Sequence, residues 1–401
     1  MKILVINCGS SSIKYCFYDM DDEKLLARGL VERIGEKQSS HTHATDGNGW
    51  KREIDAPNHI EAMRHVAKAL LDPKSGCIKD ASEVAAIGHR VVHGGEEFVS
   101  SVVIDPRVEE TIDRLAPLAP LHNPPNLAGI RGARAIFPEA TQAAVFDTTF
   151  HRSMPEYAYV YGIPYEFYQE QKIRRYGFHG TSYRFVTHRA AELTGIPRDK
   201  FNAVVCHLGN GCSITAVKNG VSVDTSMGLT PLEGLLMGTR CGDIDPGVIF
   251  HLLRDGRRNA AQVEQMLQSR SGLLGLSGIS NDQRPLVQAM PTNPRAKLAM
   301  DVFAYRIKKY IGSYMAVIGR TDAILFTGGI GERGIQSRKD ICSGLENFGV
   351  KLDLAANEAC KAKEARISAA DSRVQIWVIP TNEELMIARD TAALAAGRSV
   401  D

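Results

Sequence analysis

The chain has 401 residues, 44% of them hydrophobic, and its 48 Lys and Arg nearly balance its 46 Asp and Glu to leave a net charge of +2. This balance, without any block of Lys or Arg, gives no reason to expect nucleic acid or an anionic membrane as a partner. No apolar run approaches the roughly 18 residues of a membrane span, and Met1-Lys2 leads into a strand rather than a signal peptide. We therefore expect a cytoplasmic protein, and the length suits two domains better than one.

The eight cysteines include no CxxC pair, and most of them stand among apolar residues or glycines. We expect reduced, mostly buried thiols rather than disulfides or metal ligands.

The chain opens with three predicted strands joined by short turns. Apolar runs at 2–6, 13–18 and 24–31 predict the strands, and the small polar turn NCGSSS at 7–12 separates the first two. A polar segment at 35–58 follows and is expected to be loop or edge strand.

The rest of the first lobe is predicted to contain a helix at 60–71 and a strand at 84–92, which ends in the sequence HRVVHGG. Arg90 lies at the carboxyl end of that strand, where it could grip an anion at the mouth of an α/β sheet. Taken alone, such an arginine is more often part of a surface ion pair.

The proline-rich run at 117–125 is too rich in proline for a helix or a central strand, and is predicted to be a fixed loop. A helix at 126–137 and a strand at 143–146 follow. That strand leads directly into Asp147 in the sequence DTTFH.

His179 lies between two glycines in RRYGFHGTS, at 174–182. Glycines allow a sharp turn that could present the imidazole to a cleft. A histidine beside a phenylalanine is, by itself, more often packed and hydrogen-bonded in a core. A helix is predicted at 182–193.

A second strand, glycine turn, strand, turn, strand unit spans 201–224, with Gly-Asn-Gly at 209–211 as its first turn. Glycines let the backbone approach a ligand and present N–H groups to a phosphate, although an ordinary hairpin explains the motif about equally well. The repetition of the unit about two hundred residues apart favours two similar α/β lobes that close on a nucleotide from both sides.

Beyond this hairpin, Arg240 lies in the glycine-rich loop TRCGD at 239–243, and a helical region begins at 248. The small-residue segment at 271–284 is predicted to be a loop. Periodic apolar residues predict a long helix at 298–318.

A strand at 323–326 precedes TGGIGERG at 327–334, a third glycine turn that formally matches GxGxxG. A single match is weak evidence, and no clear βαβ unit follows it.

A last strand at 374–379 precedes TNEE, interpreted as a capping box that opens a helix at 383–396. In this interpretation the cap explains Glu384, whereas Glu383 stays available to face the cleft.

These motifs resemble the acetokinase family of the sugar-kinase, actin and Hsp70 superfamily in both order and spacing. The resemblance covers Asn7 to Glu384 and rests on NCGSSSIK, HRVVHGG, FDTTFH, RRYGFHGTS, HLGNGCS, DTSMGLTPLEG, MGTRCGD, FTGGIGE and TNEE. It implies an α/β fold with two ribonuclease H-like lobes of the actin-like ATPase type, with a nucleotide cleft between them. The implied lobes are 1–149 with 385–401, and 150–384 as the nucleotide-binding lobe.

The resemblance also implies reversible transfer of the ATP γ-phosphoryl group to acetate, with Mg²⁺, for which Mn²⁺ can substitute, and a homodimer. Propionate kinase on the same scaffold is the alternative. Asn7 and Glu383 correspond to the metal-binding positions, Val92, Leu121, Phe178 and Pro231 to the acyl pocket, and Asp147, His179, Arg240 and Arg90 to the catalytic positions. The nucleotide-contacting positions are Lys14, His207, Leu208, Gly209, Asn210, Gly211, Asp282, Gln283, Arg284, Gly329, Ile330, Gly331, Glu332 and Arg333.

The chemistry agrees with these assignments. Acetate is already an anion, so attack on phosphorus requires relief of repulsion between anions rather than removal of a proton. We therefore assign Arg240 and His179 to transition-state stabilisation, Arg90 to carboxylate binding and Asp147 to orienting an arginine or a metal-bound water. At Arg333 the chain departs from the family, which usually has Asn there, and this affects the expected nucleotide contacts.

Two other classes remain open. A dinucleotide-dependent oxidoreductase would use the GxGxxG but would leave both hairpins without a role. A non-catalytic ATP-binding scaffold of the actin or Hsp70 type would keep both hairpins but would not need Arg90, His179 and Arg240.

Overall fold

The computed structural model describes residues 1–400, which divide into two compact units. The first contains residues 1–149 and 382–400, and the second contains residues 150–381. The segment 382–384, which the sequence analysis places in the second lobe, lies with the first unit because it opens the C-terminal helix, which packs on that unit's sheet.

The first unit has eight strands and four α-helices. Its strands are β1 (Lys2–Cys8), β2 (Ser12–Asp19), β3 (Lys24–Glu32), β4 (Ser39–Thr45), β5 (Asn48–Ile54), β6 (Ala86–Val91), β7 (Val102–Val103) and β8 (Thr141–Phe146). Its helices are α1 (His59–Leu70), α2 (Pro106–Arg114), α3 (Asn123–Ile136) and α15 (Glu383–Ala395).

These strands form one sheet in the order β5-β4-β3-β2-β1-β6-β8-β7. The strands β1, β6 and β8 run parallel, whereas the strands on both sides of them pair antiparallel. Side chains alternate along β1, so that Leu4 and Ile6 pack with the core that includes α1, while Ile3 and Val5 pack with α15. Burial of both faces explains why β1 is a continuous apolar run.

The second unit has six strands and eleven α-helices. Its strands are β9 (Ala203–Leu208), β10 (Cys212–Lys218), β11 (Val221–Thr225), β12 (Ala323–Thr327), β13 (Ala365–Arg366) and β14 (Gln375–Val378). Its helices are α4 (Glu156–Tyr159), α5 (Glu166–Gln171), α6 (Gly180–Thr194), α7 (Pro246–Arg254), α8 (Ala260–Ser269), α9 (Gly272–Ser277), α10 (Gln283–Ala289), α11 (Pro294–Ile318), α12 (Gly328–Arg333), α13 (Ile335–Cys342) and α14 (Leu354–Ala359).

The second sheet repeats the plan of the first. Its order is β11-β10-β9-β12-β14-β13, with β9, β12 and β14 parallel and the remaining pairs antiparallel. This matches β3-β2-β1-β6-β8-β7 strand for strand, including the short antiparallel strand at the edge. The repeated hairpin in the sequence therefore corresponds to a repeated sheet topology.

Three predicted loops are partly helical, and those predictions were wrong in detail. Pro124 and Pro125 occupy the first turn of α3, where a missing N–H costs nothing because it has no intrahelical partner. The glycine turn after β12 becomes helix α12, because Gly328 at φ +75° lets the strand turn directly into a helix. Segment 271–284 contains α9, whose last carbonyls at Gly275 and Leu276 accept hydrogen bonds from Arg295.

The segment at 35–58 forms the hairpin of β4 and β5, with β5 at the sheet edge. Among residues 1–400, no helix is both long and apolar enough to cross a membrane. All eight cysteines are free thiols, and six of them are buried. Burial raises the pKa of Cys8 and of Cys212 to about 12, so neither thiol next to a glycine turn ionises readily.

Gly88→Ala should destabilise the first unit. A Cβ at this position of β6 would lie 2.3 Å from Oγ1 of Thr391 and 2.7 Å from Cγ2 of Ile387, both on α15. Overpacking of this kind typically costs about 1–3 kcal/mol. Gly312→Ala is the control, because a Cβ at Gly312 within α11 meets nothing within 4 Å and favours the helix. Thermal unfolding should show a lower Tm for the first variant only, and equal midpoints would contradict the packing of α15 on β6.

Candidate active site

In the first unit, Arg90 is the centre of a cluster at the carboxyl ends of the parallel strands. Its Nε donates to Asp147 Oδ1 at 3.1 Å, its Nη2 donates to Asp147 Oδ2, and its Nη1 donates to Asn7 Oδ1 at 3.3 Å. The strand register explains why Asn7 and Arg90 meet. Ile6 of β1 pairs with His89 of β6, so the residues that follow them, Asn7 and Arg90, are neighbours. Three predicted site residues thus converge.

Two more predicted residues complete this cluster. Arg90 Nε lies 4.0 Å from Glu383 Oε2, and Lys14 forms an ion pair with Glu384. A small cavity is lined by Val5, Asn7, Lys14, Arg90, Glu383, Glu384 and Ile387.

The capping-box interpretation of TNEE is wrong. The helix cap is Asn382, whose side chain accepts from the N–H of Leu385, and Glu384 instead pairs with Lys14. Thr381 does not cap the helix, and its hydroxyl accepts a hydrogen bond from Ser182. Glu383, the first residue of α15, is left to face Arg90.

Burial and charge act in opposite directions within the cluster. Burial lowers the pKa of Arg90, but the carboxylates of Asp147 and Glu383 outweigh it and hold that pKa above its usual value. Burial raises the pKa of Asp147 and of Glu383, and Arg90 opposes both rises. Arg90 therefore remains a cation at neutral pH. Asp147 already binds its Nε and Nη2 with both carboxylate oxygens.

Val92 and Leu121, predicted for the acyl pocket, are not among the residues that line this cavity. Val92 is buried just beyond β6, and its N–H donates to Oδ1 of Asn126, which ties it to α3. Leu121 is 66% exposed.

In the second unit, His179 and Arg240 meet at the glycine turn of the hairpin. A Cβ at Gly211 would lie 3.3 Å from Nη2 of Arg240 and 3.7 Å from Nε2 of His179. This turn is therefore where the two predicted catalytic residues come together, and its glycine lets both side chains approach the backbone closely. The imidazole of His179 also stacks on that of His207, with ring centroids 4.1 Å apart and an interplanar angle of 18°.

Arg240 belongs to a loop that is closed at its base. The N–H of Gly234 donates to Asp243 Oδ1 at 2.7 Å, and the N–H of Asp243 returns a bond to the carbonyl of Gly234 at 2.8 Å. The hydroxyl of Tyr310 donates to the other oxygen of Asp243 at 2.7 Å. Within this loop Arg240 Nη1 donates to the carbonyl of Pro231 at 2.7 Å, and burial lowers the pKa of Arg240.

Phe178, the other acyl-pocket residue predicted in this unit, is buried, and its carbonyl bonds to Nε2 of His151. Pro231 is half-buried and is held by Arg240.

A cavity of about 720 Å³ lies beside the hairpin turn. Eight of the predicted nucleotide-contacting residues line it: Gly209, Asn210, Asp282, Gln283, Arg284, Gly329, Ile330 and Arg333. Arg333, the position at which the chain departs from its family, therefore faces this cavity.

The remaining predicted nucleotide residues of this unit do not line the cavity. Gly331 and Glu332 are directed into the protein, since the carbonyl of Gly331 accepts from Arg338 and the carboxylate of Glu332 accepts from the N–H of Thr381. His207, Leu208 and Gly211 belong to the hairpin beside the cavity, and Lys14 is in the first unit.

Sequence reasoning missed part of the lining, namely Asn281, Val287, Gln288, Gly334, Ile335, Gln336 and Ser337. Asn281 donates to Asn210 Oδ1 at 3.0 Å, and Ser337 donates to Gln283 Oε1 at 2.7 Å. The only available signal was helical spacing, because Val287 and Gln288 lie one turn beyond Gln283 and Arg284 on α10.

Among residues 1–400, no group of three or more His, Cys, Asp or Glu side chains is arranged to hold a metal ion. The Arg90 cluster instead offers one amide oxygen at Asn7 and carboxylates at Glu383 and Glu384. These are hard oxygen donors of the kind that Mg²⁺ accepts, and Mg²⁺ usually completes its coordination with water.

The strand order that is repeated in the two sheets indicates the fold class of the protein. The chain has the predicted α/β fold with two lobes of the actin-like ATPase type, which its structural neighbours confirm.

The chain belongs to the Acetokinase family, whose profile matches residues 2–389. It is 51% identical to the acetate kinase of Dictyoglomus turgidum over 402 aligned residues, covering 100% of this chain and 99% of the relative. It is 53% identical to that of Caldanaerobacter subterraneus subsp. tengcongensis, covering 99% and 100%.

Solved structures agree with the family. The acetate kinase of Porphyromonas gingivalis superposes with a TM-score of 0.95 at 45% identity, covering 98% of this chain and 99% of that one. A propionate kinase from Francisella tularensis superposes with a TM-score of 0.91 at 42% identity, with the same coverage.

Proposed function

We propose that the chain is an acetate kinase, a phosphotransferase that reversibly moves the γ-phosphoryl group of ATP to the carboxylate of acetate. The observation that carries the proposal is the meeting of Arg240 and His179 at Gly211, beside a large cavity. Two groups that can be cationic, held at a glycine turn, suit the charge that develops on a transferring phosphoryl group. Neither an oxidoreductase nor a non-catalytic scaffold needs this arrangement.

The reaction needs no general base, because acetate is an anion at neutral pH. Asp147 fits this chemistry as an orienting residue, since both of its oxygens bind Arg90. Arg90 in turn is the candidate partner for the substrate carboxylate, using the donors that Asp147 leaves unused. The proposed roles are therefore carboxylate binding for Arg90, orientation for Asp147, and phosphoryl stabilisation for Arg240 and His179.

Mg²⁺ fits the first-unit cluster in donor type and in charge. Arg90 and Lys14 carry two positive charges, whereas Asp147, Glu383 and Glu384 carry three negative charges when ionised. The cluster then has a net charge of −1, which attracts a cation, and it contains the oxygen donors of Asn7 and Glu383. When bound there, Mg²⁺ would neutralise phosphate charge. Mn²⁺ accepts the same donors and can substitute for it.

The 720 Å³ cavity is the proposed nucleotide site. Its volume lies in the range of small-molecule sites, and the glycines at 209 and 329 bring backbone close to a ligand. Arg333 adds a permanent positive charge to its lining.

A homodimer is also proposed, and exposed apolar surface in the second unit supports it. Helix α7 buries no residue completely although it contains Val248 and Phe250, which are 43% and 56% exposed. Tyr157 is 90% exposed, and Ile163 is 48% exposed. A second subunit that covered these side chains would remove their apolar surface from water, which stabilises association. Because acetate and ATP are small soluble metabolites, we place the enzyme in the cytoplasm, with no nucleic-acid or membrane partner.

Propionate kinase activity is the second candidate, favoured by the 42% identity to a propionate kinase over nearly the whole chain. The acyl pocket decides between the two. Val92 is proposed to close it, and a valine leaves little space for an extra methylene.

The wild-type enzyme should convert acetate and ATP to acetyl phosphate and ADP with a higher kcat/KM than for propionate, and EDTA should abolish turnover. Val92→Ala should shift the ratio several-fold towards propionate, because one buried methylene is worth about 0.8 kcal/mol. Both ratios are measured with a coupled ADP assay. A wild type that prefers propionate would establish the second candidate, and an unchanged ratio in the variant would remove Val92 from the pocket.

Asp147→Asn should lower kcat/KM for acetate about a hundred-fold, because Arg90 loses the charged partner that fixes its guanidinium. Since no proton is abstracted, raising the pH should not restore turnover. The measurement is the pH–rate profile of the variant beside that of the wild type. Recovery of wild-type activity at alkaline pH would instead identify Asp147 as a general base.

Arg333→Asn should change the apparent KM for ATP several-fold and leave the KM for acetate within about twofold. The reason is that Arg333 lines the cavity proposed for the nucleotide, where it adds a charge that a phosphate can contact. Lys339→Asn is a matched control on the neighbouring helix α13, because Lys339 is not among the lining residues. Titration of each substrate decides the outcome, and an unchanged response to ATP would exclude Arg333 from nucleotide binding.

A further inference from the structure

The two stacked histidines of the second unit are held by a reciprocal pair of hydrogen bonds. Nδ1 of His179 bonds to Oγ of Ser213 at 2.7 Å, and Nδ1 of His207 bonds to Oγ of Ser182 at 2.8 Å. His179 and Ser182 belong to the start of α6, whereas His207 and Ser213 belong to the β9–β10 hairpin. Each element therefore contributes one histidine and one serine.

Backbone geometry explains why these two histidines and two serines meet. Ser213 and His207 are direct cross-strand partners in the β9–β10 register, so their side chains emerge side by side on one face of the sheet. His179 is the N-cap of α6 with φ +61°, a left-handed conformation that an ordinary residue adopts only when its surroundings hold it there. The helix start presents His179 and Ser182 to the two strand residues.

Each serine is itself fixed by a second hydroxyl. Ser213 bonds to the hydroxyl of Tyr183, which is completely buried, and Ser182 donates to the hydroxyl of Thr381 at 2.8 Å. A serine hydroxyl has one proton to donate and lone pairs that accept. Because Ser182 gives its proton to Thr381, it accepts from the Nδ1–H of His207. An alanine at either position could do neither.

We infer that Ser213 and Ser182 are positioning residues, which act through His179 and His207 respectively. Ser213 directs Nε2 of His179 towards the Gly211 turn, and Ser182 holds the His207 ring that stacks on His179. This inference rests on the proposed role of His179 in phosphoryl transfer, and on the nucleotide contact that the family resemblance implies for His207, which belongs to the hairpin beside the cavity. It gives a role to Ser213 and Ser182, which line neither of the two cavities.

The two serines should differ in the kinetic constant that they affect. Ser213→Ala should lower kcat about tenfold with little change in either KM, because it loosens a group needed in the transition state. Ser182→Ala should raise the KM for ATP several-fold and keep kcat within about threefold. Ser213→Thr, which keeps the hydroxyl, should recover most of kcat. If Ser213→Ala does not fold, Ser213→Cys serves instead, since a thiol is only a weak hydrogen-bond partner.

Ser222→Ala is the matched control. Ser222 is buried and makes the same bond, from Oγ to Nδ1 of His151 at 2.9 Å, but His151 has no proposed role in the reaction. Its loss should lower the Tm as much as the loss of Ser213 while keeping kcat within about twofold. Equal losses of kcat in Ser213→Ala and Ser222→Ala would reduce Ser213 to a structural role and overturn the inference.

A double-mutant cycle separates the inference from the function on which it rests. His179→Ala should lower kcat about a hundred-fold, and Ser213→Ala added to it should change kcat by less than about twofold. If His179→Ala is impaired but Ser213→Ala alone retains wild-type kcat, the inference is wrong and the proposed function stands. If His179→Ala itself retains wild-type kcat, the proposed role of His179 and the inference both fail.

Discussion

Parallel pairing at the centre of each sheet is the constraint on which the rest of the structure depends. Parallel strands bring their carboxyl ends to one edge, so residues distant in sequence meet there without any local signal. In the first unit this edge collects Asn7 from β1, Arg90 from β6 and Asp147 after β8. In the second it collects His207 from β9 and Gly328 after β12.

The same topology explains the antiparallel hairpins beside the parallel strands. The turn of each hairpin follows the carboxyl end of its first strand, β1 or β9. Both turns therefore lie at the sheet edge that holds the candidate site residues. Both turns close on themselves, since the N–H of Gly9 bonds to the carbonyl of Ser12 and that of Gly209 to the carbonyl of Gly211. Duplication of the hairpin therefore gives each sheet a glycine turn at this edge.

Much of this fold was predictable because strands and hairpins carry local signals. The apolar runs predicted at 2–6 and 13–18 lie within two residues of the observed bounds of β1 and β2, and β9 and β10 lie within the unit predicted at 201–224. Three features had no such signal. The hairpin at 39–54 is mostly polar on its outer strand, α9 is short and glycine-rich, and α12 begins at a glycine with positive φ. In each case, tertiary contacts override weak local propensity.

The sequence names residues expected at the candidate site but not the partners that they bind. Family resemblance names Arg90, Asp147, His179 and Arg240, but it does not reveal that Asp147 binds the Nε–Nη2 edge of Arg90 with both carboxylate oxygens. The TNEE segment illustrates the reason. Its spacing fits a capping box, but Asn382 takes the cap because Glu384 finds a stronger partner in Lys14, which is 370 residues away in sequence.

Three arginines show why the identity of a residue does not reveal its role. Arg338 is completely buried and donates to the carbonyls of Gly331, Asn357 and Cys360. Its donors therefore link α12, α13 and α14 and are not available to a ligand. Arg90 is bound by carboxylates, which raise its pKa and fix its orientation. Arg240 has a carbonyl partner at Pro231, and burial lowers its pKa. Arg338 uses its donors on three carbonyls, whereas Arg240 is half-buried, donates to the carbonyl of Pro231, and pairs with no carboxylate within residues 1–400. Its other N–H donors and its positive charge stay available to an incoming anion, which supports the phosphoryl role proposed for Arg240.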